Sequence, residues 1–372
     1  MRFRDAQRTV LKGLRLNISS MLVGPSGIGK SQMVEQVARD YANELGLKLV
    51  KNKTNPSAKE FSIIDRRVAQ EDITSTKGIP YTFVLDGVTY QGHAKLDSFP
   101  TSGKGILFLD EFGQAPPSVM AVNSQLLLEK RIGEYQLPEG WQVVVASNRA
   151  EDRAGSNKML SQTIGRGQYI TVDVNFDDWF EYAVAKGTYN PYVLAFLSIN
   201  VNALYEFDPR LIDAQPNPRS WERLSTLLNA EPKDDYSDYE LLARVNVGEK
   251  ESIQFQAFMD LRTKVPSLSD IVSGEVTKPT KKQISEMGLS YLTVIGLVEV
   301  IKEASEKVKE SYFENALAYI ENIGSPSFSI FFVRQMVTID RSLMDTKIFV
   351  DFKVKNSEIC LLYTSPSPRD TE

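Results

Sequence analysis

The stretch Gly24-Pro25-Ser26-Gly27-Ile28-Gly29-Lys30-Ser31 constrains this chain more than any other, because it has the spacing G-x-x-x-x-G-K-S of a phosphate-binding loop. A side chain at Gly24 or Gly29 would obstruct the approach of backbone N–H groups to phosphate oxygens. Lys30 can reach the β- and γ-phosphates, and Ser31 can offer its hydroxyl to Mg²⁺. The helix that follows would present the positive end of its dipole to the same anion. Pro25, Ser26, Ile28 and Gln32 complete the expected cradle. The surroundings are those such a loop requires. Met21-Leu22-Val23 reads as a buried strand before it, and Met33, Val34, Val37, Ala38, Tyr41, Ala42 and Leu45 recur at helical spacing after it.

A second signature lies downstream. Gly105-Ile106-Leu107-Phe108-Leu109 is an apolar run of the kind buried on both faces of a parallel sheet, and it ends in Asp110-Glu111. Beside a phosphate loop, Asp110 would hold the metal, mostly through its water, and Glu111 would orient or deprotonate the water that attacks the γ-phosphate. Trp141 to Ser147 reads as a third buried strand, ending at Asn148. A polar amide at a strand's carboxyl end stands where open α/β sheets bind ligands, so Asn148 can position the attacking water.

The order GPSGIGKS, ILFLDEFGQAP, VVVASN, TIGRGQYITV, NPRSW resembles the AAA+ ATPases, most closely MoxR-like members of bacteria and their phages, over about residues 8 to 260. The resemblance implies a P-loop α/β core, a doubly wound parallel sheet, with a small helical lid, hydrolysing ATP with Mg²⁺ in a homo-oligomeric ring, a hexamer. It matches Gly24, Gly29, Lys30 and Ser31 to the phosphate loop, Ser31 and Asp110 to the metal, Glu111 to the catalytic carboxylate and Asn148 to the sensor of the γ-phosphate. Arg166 in Ile164-Gly165-Arg166-Gly167 occupies the place of the arginine that reaches into the neighbouring subunit's site, and Arg219 in Pro218-Arg219-Ser220-Trp221 resembles the lid arginine that senses phosphate in cis. The family usually has an aromatic or aliphatic residue where this chain has Gly167, so Arg149 and Arg153 remain rivals of Arg166. The implied work is chaperone-like remodelling or maturation of a protein, with a von Willebrand factor A-type domain as candidate partner. A nucleic-acid motor or loader is the alternative reading, and a nucleotide-gated scaffold with little turnover the third.

Composition narrows these readings. With 43 Lys and Arg against 48 Asp and Glu, the net charge is -5, and the mean hydropathy of -0.25 with a pI near 5.3 gives no global electrostatic case for binding duplex nucleic acid. One cysteine, Cys360, excludes an intrachain disulfide framework, and one histidine, His93, leaves little material for a zinc site. No apolar run approaches membrane-spanning length, and Met1-Arg2-Phe3-Arg4-Asp5 lacks the apolar stretch of a signal peptide, so a cytoplasmic protein with no membrane partner is expected.

Around the motifs, the sequence predicts a helix over 3–16, a strand over 47–50, loop and short helix over 51–80, and a hairpin of Tyr81–Leu85 and Val88–Tyr90 about Asp86-Gly87. A second small hairpin is expected over 131–137, and both are candidates for substrate or pore contact. Amphipathic helices follow Val174, with an acidic linker at 231–238 and one long helix over 289–308. The expected division is a core over 1–173, a lid over 174–260 and a helical region over 261–360. Residues 361–372, rich in Ser and Pro, fit nothing before them and read as a disordered or non-native tail.

Overall fold

The structure is a computed structural model that describes residues 1–94, 97–149, 152, 165–232 and 237–356. Cys360, Arg153 and the 361–372 tail lie outside the described residues, as does 233–236 of the acidic linker.

Six parallel strands organise the first half of the chain: β1 (Ser20–Val23), β2 (Lys48–Lys51), β3 (Glu60–Arg67), β6 (Gly105–Asp110), β9 (Trp141–Ser147) and β10 (Gln168–Thr171), in the order β10-β1-β9-β6-β3-β2. The sheet is buried on both faces, and alternate residues divide between two cores as the strand period of two requires. Leu22, Ile106, Phe108, Val144 and Ala146 pack with helix α1 (Phe3–Arg15) and helix α2 (Lys30–Glu44). Their neighbours Met21, Val23, Leu107, Leu109, Val143 and Val145 join Val119, Met120, Leu126 and Leu127 of a further helix, Pro117–Glu129. The doubly wound parallel core with flanking helices is therefore the expected one.

One strand is new. The sequence reading gives loop and short helix over 51–80, but Glu60–Arg67 is an eight-residue strand between β2 and β6. The charges of Asp65-Arg66-Arg67 hide it. Arg66 is in fact buried: it donates to both carboxylate oxygens of Glu71, at 2.9 and 2.6 Å, and its guanidinium lies 3.9 Å from the Phe99 ring centroid. A buried charge is tolerated when paired and hydrogen-bonded in this way.

Both hairpins form. Strand β4 (Pro80–Leu85) pairs antiparallel with β5 (Val88–His93) through Asp86 and Gly87, whose φ values of 51° and 78° are those a two-residue turn demands. The smaller pair is β7 (Arg131–Ile132) and β8 (Tyr135–Gln136).

The chain divides into two compact units. The first holds Met1–Asp178, Phe207–Ile212 and Asn217–Arg219, and the second Trp179–Glu206, Asp213–Pro216 and Ser220 onward. Within the second unit, Phe180 lies against Phe331 at 6.5 Å between ring centroids. Its aromatic core includes Phe196, Trp221, Phe255 and Phe258, and Trp221 Nε1 donates to the Ala203 carbonyl at 2.8 Å. The long helix expected over 289–308 is two helices, Met287–Glu303 and Glu306–Glu321, interrupted at Ala304-Ser305, where both residues are extended. Neither proline nor glycine marks that break in the sequence.

Candidate nucleotide-binding site

The phosphate loop leaves the carboxyl end of β1 and enters α2 through Gly29, whose φ of 92° is open to glycine and costly for a residue with a Cβ. Gly24 N donates to Ser147 O at 3.2 Å, so the start of the loop is fastened to the end of β9. Strands β1, β6 and β9 are parallel, and this brings the loop, Asp110 and Asn148 to one edge of the sheet.

The polar side chains there form two hydrogen-bonded groups, one around Asp110 and one around Lys30. Ser31 Oγ donates to Asp110 Oδ2 at 2.6 Å, and the Glu111 backbone N–H donates to Asp110 Oδ1 at 2.8 Å. Lys30, only 8% exposed, donates to the Gly24 and Pro25 carbonyls at 2.8 and 2.7 Å and to Asn148 Oδ1 at 2.8 Å. All three ammonium hydrogens are thus engaged, and a phosphate oxygen would have to displace at least one acceptor. Burial lowers the Lys30 pKa to about 8; Asp110 and Asp152 pull it back up, and Arg219 and Arg149 push it further down. Two arginines and two carboxylates thus act on the charge of this buried lysine.

Glu111 is backbone-strained. Its φ of 56° and ψ of 31° are left-handed, uncommon for a residue with a side chain, and they turn the chain sharply from β6 into a single turn over Phe112–Gln114. Asp65, on the neighbouring strand β3, has its pKa raised by burial and by the charges of Asp110 and Glu111. It belongs to the same acidic corner, and sequence reasoning missed it together with its strand.

The metal-binding expectation can be tested on the donor set. A serine hydroxyl and a carboxylate side by side are hard oxygen ligands. Among the described residues no three His, Cys, Asp or Glu side chains cluster as a metal cage. That combination suits Mg²⁺, which takes one or two protein oxygens together with phosphate and water, and does not suit a self-sufficient protein site.

The arginines separate. Arg219 is at the loop: its backbone N–H donates to Gly27 O at 3.2 Å, and Asn217 Oδ1 lies 2.5 Å from where a Cβ on Gly27 would sit. Asn217 is a neighbour of the site that sequence reasoning quoted without assigning. Arg149 follows Asn148 at the same edge and pairs with Asp152 and Asp173, at 3.5 and 3.7 Å. Arg166 lies elsewhere. It precedes β10, whose Gln168 is in register with Ser20 and whose Thr171 is in register with Val23, so it stands at the amino ends of the strands. The loop departs from the carboxyl ends, on the order of 15–20 Å along the strand direction. Arg166 Nη1 donates to Ser124 O at 3.1 Å. Gly167, the departure from the family pattern, has its reason here: a Cβ would come within 2.5 Å of the Ser19 carbonyl.

On the β4–β5 hairpin, Tyr81, Phe83, Leu85, Val88 and Tyr90 share one face and all are exposed. Phe83 stacks on Tyr90 at 5.5 Å and Tyr81 lies 5.9 Å from Phe83. Among the described residues no helix is long and apolar enough to cross a membrane.

Residues 19–166 match the family described as AAA domain, dynein-related subfamily. No curated protein matches the chain by sequence. Among solved structures, NtrX from Brucella abortus with ADP is similar at a TM-score of 0.40 and 13% identity, over 92% of this chain and 67% of that one. DnaA from Aquifex aeolicus with AMPPCP has a TM-score of 0.28 and 13% identity, over 96% and 94%. The P216G mutant of Thermotoga maritima RuvB has 0.30 and 12%, over 84% and 86%.

Proposed function

We propose that this chain, whose residues 19–166 match the AAA domain of the dynein-related subfamily, is an ATPase that works as one subunit of a homo-oligomeric ring that remodels or matures a protein partner. The observation that carries the reading is the pair of side-chain hydrogen bonds Lys30–Asn148 and Ser31–Asp110 at the carboxyl ends of three adjacent strands, with Glu111 next in the chain after Asp110.

Lys30 and the loop amides hold the phosphates of ATP, and Arg219 acts on the γ-phosphate from the same subunit, consistent with its backbone tie to Gly27. Ser31 and Asp110 would hold Mg²⁺, which would supply positive charge against the β- and γ-phosphates. Glu111 accepts a proton from the attacking water, and Asn148, already fixed by Lys30, orients that water. Arg166 acts on the site of the neighbouring subunit. The register of β10 supports this, because an arginine at the amino edge is too far away to serve its own loop. Arg149, salt-bridged at the carboxyl edge, is by the same argument a residue of its own site. The order of motifs favours a MoxR-like member and a hexamer, with a von Willebrand factor A-type domain as candidate partner, and the exposed apolar face of the β4–β5 hairpin is a surface for contact with protein.

The test is the ATPase rate per subunit as a function of protein concentration, with Mg²⁺ and saturating ATP. A specific activity that rises and then levels off is expected for a site shared between subunits. A rate that is flat at concentrations where sizing finds monomers overturns the ring reading.

A further inference from the structure

At the amino edge of the sheet stands a second lysine, half-buried, and the nucleotide site makes no use of it. Lys130 caps the Pro117–Glu129 helix in the left-handed region, with a φ of 54°, where a glycine would avoid the strain of a Cβ. Its Nζ donates to Ser19 Oγ at 2.7 Å, and Ser19 Oγ in turn donates to Leu127 O at 2.6 Å. Burial lowers its pKa, to about 8, and among the described residues no carboxylate is a cause of the shift. A desolvated ammonium whose hydrogen bond goes to a serine is an expensive way to end a helix.

The geometry shows what the bond does. The Ser19 backbone carbonyl accepts from Gln168 N at 2.9 Å, and Gly167 packs so closely on that carbonyl that no Cβ fits. Ser19 is therefore clamped from one side by Lys130 and clamps from the other the two residues that follow Arg166. The Arg166 guanidinium itself rests on Ser124 O of the helix that Lys130 ends. Lys130 also closes the second hairpin: its carbonyl accepts from Leu137 N at 2.8 Å and from Gln136 Nε2 at 3.1 Å.

We propose that Lys130 is a positioning residue for Arg166: through Ser19 it fixes the strand entry that carries the arginine, and it joins that entry to the base of the β7–β8 hairpin. A displacement of the hairpin by a bound protein would then reach the arginine supplied to the next subunit. This rests on the trans action of Arg166 proposed above.

The test uses full-length protein in mixed assemblies. Lys130→Met is expected to bind a non-hydrolysable ATP analogue within about twofold of the parent and to lose turnover about tenfold or more, part of the effect of losing the arginine itself. Mixing it with Glu111→Gln protein, whose own sites are dead but whose Arg166 is intact, is expected to raise activity above the sum of the two separately. Ser19→Ala, which removes the acceptor together with its bond to Leu127 O and leaves the Lys130 side chain in place, is expected to show the same rescue, and it answers the question if Lys130→Met does not fold. Arg166→Ala is the benchmark. Rescue of Arg166→Ala without rescue of Lys130→Met or Ser19→Ala overturns the inference and leaves the trans reading standing. No rescue of any of the three overturns both.

Discussion

Lys30, buried, and Lys130, half-buried, are both amines lowered to about 8, at opposite ends of one sheet, and they differ in their company. Around Lys30 stand two carboxylates and two arginines that act on its charge, and its three donors converge on the loop and Asn148. Around Lys130, among the described residues, burial alone is at work, and its partner is a serine. A perturbed pKa therefore does not identify the chemistry; the charges that share in the perturbation do. The carboxyl edge is built to receive an anion, and the amino edge is built to hold an arginine still.

That contrast can be broken by mutation at either edge. The largest expected effect is at the amino edge: Arg166→Ala should lower kcat by about 10³ to 10⁵ with little change in nucleotide affinity, read by steady-state kinetics and equilibrium binding. A loss of under about threefold would reduce it to an ordinary surface arginine, since such a group usually contributes no more than about 1 kcal/mol. At the carboxyl edge, Glu111→Gln should cost about 10² to 10⁴ in turnover while ATP still binds, as loss of a general base requires. Unchanged turnover would remove Glu111 from the mechanism. Gly167→Ala should cost about 1–3 kcal/mol of stability in thermal or denaturant unfolding, because the added Cβ meets a backbone carbonyl that can move only with its strand.

The smallest effect separates the two lysines most cleanly. Free Lys30 loses its proton as pH rises through about 8, and phosphate favours the charged form, so ATP binding near pH 8.5 should take up a fraction of a proton. Calorimetry in two buffers of different ionisation heat measures this uptake. Lys30→Met should abolish it and Lys130→Met should leave it in place. For stability the sign is the opposite of a salt-bridged lysine. Both folded pKa values lie below the ordinary 10.5, so the unfolded chain holds more protons between about 8 and 10.5, and these two groups favour the folded state increasingly as pH climbs through that window.

The sequence was most legible where function is local. The phosphate loop, Asp110, Glu111 and Asn148 each end or follow an apolar run, and the structure hydrogen-bonds Lys30 to Asn148 and Ser31 to Asp110 at the same end of the sheet. The Asp86-Gly87 turn could be read because its backbone demands are local too. Strand β3 could not, because the partner that makes Arg66 tolerable, Glu71, and the ring over it, Phe99, come later in the chain. The break at Ala304-Ser305 has no residue of its own to announce it and follows from how the second unit packs. Which edge Arg166 occupies depends on the pairing of β10 with β1, two segments with most of the core between them in sequence.

The β4–β5 hairpin carries a consequence for handling the protein. It is a two-stranded sheet with which, among the described residues, no third strand pairs, and Pro80–Leu85 contains no charged side chain to repel a neighbour. Open strand edges beside exposed Phe83, Val84 and Leu85 are a template for edge-to-edge addition of another chain. In concentrated solution, aggregation would therefore start at this hairpin, ahead of any loss of the folded core, and a lysine introduced on its outer face would keep the protein dispersed.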